Sequence, residues 1–483
     1  MISKIHSAIP YGFEGKLVEV EGDMNRGLPA FNIVGMASKT VNEAKERVRS
    51  AIVNSGFSFP DRKVTISLAP AELAKDGAYL DLPIALSVLI LSNQLLKTDV
   101  AQKMFVGELS LNGELRAVKG IINVVEAARE AGLAEIYVTY TNLAQAKLVS
   151  GIEIYGARTL KELFLALKKQ QTIASAAEVE EGLKTDSRGI SGPILDHIRG
   201  QKMAKRAMAI AIAGHHSILI SGPPGAGKTL LAKAAANLLP DLTPRETVEI
   251  TKLFSIAGHS TGEAIYQRPF RSPHHTASAT SIIGGANGPG EISLADKGIL
   301  FLDEIPEFPR SVLEALRQPL EDREISISRA NRKTTYPADF MLVATMNPCP
   351  CGYLGDPTHE CKCSEVQIRN YQKKLSGPLF DRIDMNMDIE KVKNTITGAI
   401  ERQRKRYNKD GFYNSSLSSF QVSKLLKLEP AAEKLLADAS ERLSLSARSY
   451  FKTIKVAQTI ADLDGSEIIL TKHLAEALTY RKR

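Results

Sequence analysis

Residues Gly222, Pro223, Pro224, Gly225, Ala226, Gly227, Lys228 and Thr229 read GPPGAGKT, a complete G-x-x-x-x-G-K-[ST] string. An apolar run, SILIS (217–221), precedes it, and a helix-patterned run, LLAKAAANLL, follows. Placement gives the string its meaning. Backbone N–H groups of a loop between strand and helix, backed by the positive end of the helix, form a cradle for phosphates. Lys228 is then expected to reach the β- and γ-phosphates of ATP, and the Thr229 hydroxyl to ligate Mg²⁺.

The segment GILFLDEI (298–305) supplies the complementary chemistry. A short apolar run ending in two acids is expected of a buried parallel strand whose C-terminal end faces a site. Asp303 is placed to hold Mg²⁺ and Glu304 to polarise an attacking water. Alone, such an acidic pair is more often a helix cap or a solvated turn. Its position downstream of a full phosphate loop decides for catalysis.

A third cluster is separate. All four cysteines, Cys349, Cys351, Cys361 and Cys363, fall in one stretch as C-x-C-x₉-C-x-C. In a reducing compartment such a cluster argues for Zn²⁺ rather than disulfides, although C-x-C is tighter than the usual knuckle. The competing reading is a rigid loop with reduced thiols. His359 is a candidate to replace one ligand.

The elements that must position these groups follow from the patterning. Residues 1–168 mix strand-like runs (KLVEVEGD, KVTISLAP) with helical ones (TVNEAKERVRSAIVNSG, KGIINVVEAAREAGL), implying an α+β unit. Residues 169–189 are polar and weakly patterned, the composition of a linker. Strand and helix signals alternate over 190–395, as in a doubly wound parallel sheet. In 396–483 three segments carry a 3.6-residue apolar stripe, which predicts a helical domain. The chain is thus read as multidomain α/β.

At 483 residues the chain exceeds one ordinary core. Hydrophobic residues make up 43% and charged residues 24%, a soluble globular profile. The most apolar stretch, 82–91, contains Pro83 and is too short for a bilayer. The N-terminus lacks a secretory pattern, so a cytoplasmic protein with no membrane partner is expected. The net charge of +8 is compatible with a polyanionic partner without requiring one. Tryptophan is absent, so any base stacking must use tyrosine, phenylalanine or arginine.

Beyond the phosphate loop, the motif order resembles the AAA+ superfamily. Asn347, ending VATMN, matches the first sensor, an amide that orients water or reads the γ-phosphate. Arg382 in LFDRID matches the arginine finger offered to a neighbouring subunit. Arg448 in LSARSYFK matches the second sensor of a helical lid. A finger that completes a site in trans requires a homo-oligomer with head-to-tail contacts. Two insertions stand out. Residues 268–298 carry Arg268, Arg271 and the paired His274 and His275, the two histidines being candidates for DNA contact. Residues 320–340 read as a β-hairpin with Arg329, Arg332 and Lys333 at its tip. Cations on a projecting hairpin suit phosphate contacts to DNA, single-stranded or branched, without sequence readout.

The N-terminal segments LAKDGAYLDLPIALSVL and FVGELSLNGELRAVKGIINVVEAAREAGL resemble the Lon protease domain, a ribosomal S5-like α+β fold. They are similar also to the C-terminal domain of the RadA recombination ATPase. Tyr79 and Ile122 occupy the positions of the Lon nucleophile and its lysine base, while Lys75 and Lys119 fall elsewhere. A phenol with a pKa near ~10 and a hydrocarbon cannot form a nucleophile–base pair, so a proteolytically inactive domain is expected.

Together, RSPHHTAS, PGEISLADKGILFLDEIPEF, TYPADFMLVATMNPCPCGYLGDP, SGPLFDRID and SYFKTIKVAQTIADLDG resemble the ComM/YifB group of magnesium-chelatase-like AAA+ ATPases over nearly the whole chain. The resemblance implies a hexameric ATPase acting as a branch-migration helicase on DNA in natural transformation. The alternatives are weaker. A metal-chelatase ATPase subunit has no use for the Lon-like unit or the cysteine loop. An ATP-dependent protease is opposed by Tyr79 and Ile122. An enhancer-binding activator lacks its GAFTGA loop and helix-turn-helix, and an idle nucleotide-gated scaffold is opposed by the intact Lys228 and Glu304.

Overall fold

The computed structural model describes residues 2–35, 39–75, 77–178, 202–225, 227–260, 262–285, 288–329, 332–354, 360–374, 379, 382–385, 393–443 and 445–481. The chain divides into two units: Met1–Ser187 with Pro244–Tyr266, and Arg188–Thr243 with Gln267–Arg483.

The first unit is built on eight strands: β1 (Ile2–Tyr11), β2 (Glu14–Asn25), β3 (Ala30–Val34), β4 (Lys63–Ala69), β5 (Lys103–Phe105), β6 (Glu135–Thr139), β7 (Glu153–Ala157) and β8 (Ala174–Ser175). Their order across the sheet is β8-β7-β6-β5-β1-β2-β4-β3. β1 and β2 form an antiparallel hairpin from Ile2↔Asp23 to Tyr11↔Glu14. Gly12, at φ +61°, permits the two-residue turn between them. Val18 and Val20 point inward while Glu19 does not, the period of a half-buried strand. Helix Lys39–Asn54 buries Ala44, Val48, Ala51 and Ile52 on one stripe. Helix Asp81–Leu91 is buried at every position. Its first residue, Asp81, receives two hydrogen bonds from Arg47, at 2.8 and 3.0 Å. Burial still pushes the Asp81 carboxyl up to about 6, against the pull of Arg47.

Two boundaries differ from the sequence reading. The stretch 169–189 is not wholly linker: β8 pairs with β7, and the Ala176 N–H donates to the Ile154 carbonyl at 2.9 Å. A two-residue strand has no period to detect. Residues 244–266, expected within 190–395, pack in the first unit. Helix Pro244–Ala257 brings Ser255, whose hydroxyl accepts from the Gly120 N–H and donates to Gln145, both at 2.9 Å. Gln145 in turn donates to Ser260 Oγ and the Glu263 carbonyl. Lys252 pairs with Glu126 and lies over the Phe13 ring. Such a network joins residues far apart in sequence and leaves no local signal.

At the sites compared with the Lon protease, Ile122 is buried in an apolar cluster and Tyr79 packs beside it. The Lys75 ammonium is turned inward, donating to the carbonyls of Leu68 and Pro70. Asp76 lies outside the described residues.

In the second unit, β9 (Ile218–Ser221), β10 (Phe270–Arg271), β11 (Ile299–Leu302) and β14 (Met341–Met346) form a parallel sheet in the order β9-β14-β11-β10. Every residue of β11 and β14 is buried, as expected of parallel strands covered on both faces. The register pairs Ser221 with Met346 and Leu302 with Ala344. Three chain segments therefore leave the sheet at one edge: the phosphate loop, Asp303–Glu304 and Asn347. Helices Lys202–Gly214, Pro430–Arg442, Ala447–Asp464 and Thr471–Thr479 contribute to the same apolar core. Between β11 and β14, β12 (Glu324–Arg329) and β13 (Arg332–Pro337) form a hairpin seated by the buried Ile325 and Tyr336.

His215, just before β9, is buried and stacked on Tyr413, with ring centroids 5.1 Å apart. Its Nε2 lies 3.9 Å from Asp339. Burial lowers its pKa from 6.5 to about 4; Asp339 opposes this, while Arg323, Arg268 and Lys297 add to it. Between those two pH values the unfolded chain holds a proton that the folded chain does not, so stability falls on acidification through this window. Denaturant titration is expected to show the second unit losing roughly 2 kcal/mol between pH 7 and pH 5 from this residue alone. His215→Gln should flatten that part of the profile. An unchanged slope would show that His215 is not its source.

Candidate nucleotide site

The phosphate loop joins β9 to helix Lys228–Ala236. Gly225 and Gly227 both sit at φ +76°, a conformation that turns the backbone back on itself and that residues with a Cβ rarely adopt. Gly227 is the residue before the helix, so the loop's N–H groups and the helix N-terminus share one concavity. Ala226 lies outside the described residues. The Lys228 ammonium donates to the carbonyls of Gly222 (2.6 Å) and Pro223 (3.0 Å) and to Asn347 Oδ1 (2.9 Å). Burial lowers its pKa, and the charges of Asp303 and Glu304 oppose the shift.

Thr229 Oγ1 donates to Asp303 Oδ2 at 3.1 Å. A hydroxyl and a carboxylate side by side are hard oxygen donors, the set that Mg²⁺ takes when it also binds phosphates. The other Asp303 oxygen accepts from Thr345 Oγ1, which itself accepts from the Glu304 N–H at 2.9 Å. Thr345 is completely buried and thus fixes both acids from the C-terminal end of β14. Glu304 is exposed and sits at φ +51°, ψ +51°, unusual for a residue with a side chain. Strain of this kind costs about 1–3 kcal/mol and is retained where it aims a functional group. Here it turns the carboxylate towards Asn347, whose Nδ2 lies 3.4 Å from Glu304 Oε1. Asn347 thus bridges the lysine and the carboxylate. Thr345 was missed in the sequence; its only signal is its place two residues before Asn347.

Arg382 and Arg448 meet on one carboxylate that the sequence reading also missed. Arg382 Nη2 lies 2.8 Å from Glu321, and the other Glu321 oxygen pairs with Arg448. Burial raises the Glu321 pKa, but the two guanidiniums outweigh it and the net shift is downward. The loop carrying Arg382 is pinned two residues on. The Asp384 carboxylate accepts from the Ser217 N–H at 3.0 Å and pairs with Lys452 at 2.8 Å, which together with His216 keeps it ionised despite burial.

The insertion 268–298 is more structural than its composition implied. Arg268 donates to the carbonyls of Pro240 and Lys297, and Arg271 forms a two-pronged pair with Glu291 at 2.6 and 2.7 Å. The rings of His274 and His275 lie with centroids 4.2 Å apart and planes tilted by 33°, and His275 meets Phe308 edge-on. Arg329 and Arg332 are the last pair of the β12–β13 ladder and Lys333 pairs with Ser328; the side chains of all three basic residues lie outside the described set.

The four cysteines are reduced and converge, their Sγ atoms all within 4.8 Å of one another. His359 lies outside the described residues. Among the described residues no helix is long and apolar enough to cross a membrane.

Three family models match the chain: "Magnesium chelatase, subunit ChlI" over residues 194–397, "Subunit ChlI of Mg-chelatase" over 20–142, and "Magnesium chelatase, subunit ChlI C-terminal" over 386–481. The chain is 42% identical to the competence protein ComM of Haemophilus influenzae, covering 99% of this chain and 97% of that one. It is 40% identical to YifB of Escherichia coli, an uncharacterised protein, with the same coverage. The magnesium-chelatase 67 kDa subunit of Chlorobaculum tepidum is 27% identical over 31% of this chain and 23% of its own length.

Proposed function

The chain belongs to the ComM/YifB family of magnesium-chelatase-like AAA+ proteins, and from that premise we propose that it is an ATP-driven DNA motor, a hexameric branch-migration helicase serving recombination or natural transformation. The observation that carries the ATPase part is the bridge Lys228–Asn347–Glu304 beside the Thr229–Asp303 pair, at one edge of a parallel sheet. In the proposed reaction Lys228 and the loop amides hold the triphosphate. Thr229 and Asp303 hold Mg²⁺, which when bound would neutralise charge on the phosphates. Glu304 takes the proton of the attacking water, and Asn347 fixes the carboxylate and the water relative to Lys228. Arg382 of an adjacent subunit completes the site, and Arg448 reports on the nucleotide from the lid.

The DNA part rests on three supports: the net charge of +8, the hairpin that carries Arg329, Arg332 and Lys333 at its turn, and similarity along nearly the whole chain to a protein named for competence. A chelatase subunit is the second reading. It is disfavoured because, although the ChlI family models match most of the chain, the chain is 42% identical to ComM over 99% of its length and only 27% identical, over 31%, to the Chlorobaculum tepidum chelatase subunit.

Phosphate release measured alone and with single-stranded, double-stranded and four-way-branched DNA tests the proposal. Branched DNA is expected to stimulate most. The Arg329→Ala, Arg332→Ala, Lys333→Ala triple variant should bind DNA more weakly, with a salt slope smaller by up to about 3, and keep its basal rate. Equal rates with every DNA would leave the motor reading without support, and unaltered binding by the triple variant would remove the hairpin from it.

A further inference from the structure

The cysteine loop begins two residues after Asn347 and lies against the phosphate loop. Cys349 is fully buried, whereas Cys351, Cys361 and Cys363 are half-buried, so the thiols are not simply core packing. The Sγ separations are 3.4 Å for Cys349–Cys351 and 3.6 Å for both Cys349–Cys361 and Cys351–Cys361. A disulfide would require about 2.05 Å. Four thiolates about 2.3 Å from a tetrahedral Zn²⁺ stand about 3.8 Å apart. The observed spacings sit near that tetrahedron edge without any bond between sulfurs.

The loop's other contacts reach the nucleotide site. A Cβ on Gly352 would stand 2.7 Å from Pro224 Cδ, so the backbone here touches the phosphate loop. Gly352 itself, at φ +87°, turns the chain between the two halves of the cluster, and its N–H donates to the Cys349 carbonyl at 3.0 Å. Gln372, in helix Glu365–Lys373, donates to the Pro348 carbonyl at 3.2 Å, tying the segment between Asn347 and Cys349 to the helix that follows the last cysteine.

We propose that Cys349, Cys351, Cys361 and Cys363 bind one Zn²⁺, and that this ion braces the nucleotide site by fixing Asn347 and the Pro224 side of the phosphate loop. The ion is closed off by four protein ligands and is structural, not catalytic. It gives the end of β14 a rigid support that hydrogen bonds from the exposed loop alone would not supply. The bracing rests on the nucleotide reading above; the metal site does not.

Elemental analysis of the full-length protein is the first measurement, with about one Zn²⁺ per chain expected. Co²⁺ replacement should give the visible spectrum of a tetrahedral thiolate site. Iron with sulfide, the other common tenant of four thiolates, or no stoichiometric metal, would overturn the site. Next, the Cys361→Ser, Cys363→Ser variant should lose the ion, bind a fluorescent ATP analogue at least tenfold more weakly, and turn over ATP about 10²-fold more slowly, the scale of an ångström-size misplacement. Should that variant fold poorly, wild-type protein stripped by a chelator and restored with Zn²⁺ gives the same comparison. Loss of the metal with unchanged analogue affinity would overturn the bracing. Metal present in a wild-type chain that binds no analogue would locate the failure in the nucleotide reading and remove the bracing with it.

Discussion

Glu304→Gln is expected to release phosphate at least about 10²-fold more slowly than the parent chain while still binding ATP and Mg²⁺, since a positioned general base contributes roughly 10²–10⁴ to the rate. The substitution is nearly isosteric. The left-handed backbone at 304 is held by the N–H bond to Thr345, which the change does not touch. The amide oxygen can still accept from Asn347, as the carboxylate oxygen does at 3.4 Å. What disappears is the capacity to take a proton from water. Asp303 cannot substitute, because its two oxygens are engaged by Thr229 and Thr345. Single-turnover phosphate release, with analogue binding measured in parallel, checks this. A drop of less than about threefold would remove Glu304 from the role.

Arg382→Ala is expected to lower turnover by about 10³-fold or more, the scale of an arginine finger. Removing the guanidinium does not strand Glu321, because Arg448 remains paired with it. Asp384 keeps the loop anchored to Ser217 and Lys452. The loss should therefore be catalytic and not a matter of folding. Mixing decides whether the arginine acts in trans. In mixed assemblies of Arg382→Ala and Glu304→Gln chains, some interfaces unite an intact Glu304 with a neighbour's intact Arg382, so activity should reappear. Mixtures as inactive as either variant alone would place the arginine's action within its own chain and dissolve the argument for an obligatory assembly.

Legibility in the sequence followed distance along the chain. The phosphate loop, the Asp303–Glu304 pair and the cysteine cluster are contiguous strings whose spacing already constrains their geometry. The strands that carry them were legible too, because β11 and β14 are buried on both faces and so read as unbroken apolar runs. Glu321 gave no such signal. It lies in a charged helical stretch like many others, and its meaning comes from two arginines in separate segments. Thr345 was hidden by being one more β-branched residue in a strand. Helix Pro244–Ala257 illustrates the same limit: nothing in its own sequence says which core its buried face joins. The partners of Arg268 and Arg271, two backbone carbonyls and Glu291, were likewise invisible in the sequence, because they lie about twenty to thirty residues away along the chain.

The placement of Pro244–Tyr266 means that the polypeptide crosses from one body to the other three times, after Ser187, Thr243 and Tyr266. Neither body is a continuous gene fragment. Cutting the coding sequence at the first crossing would deprive the amino-terminal piece of the strap whose Ser255 satisfies Gly120 and Gln145, exposing apolar surface around Val248 at the same stroke. Dissection of this protein is therefore better done by splicing a short bridge across 243–267 in one piece and grafting the strap onto the other than by simple truncation.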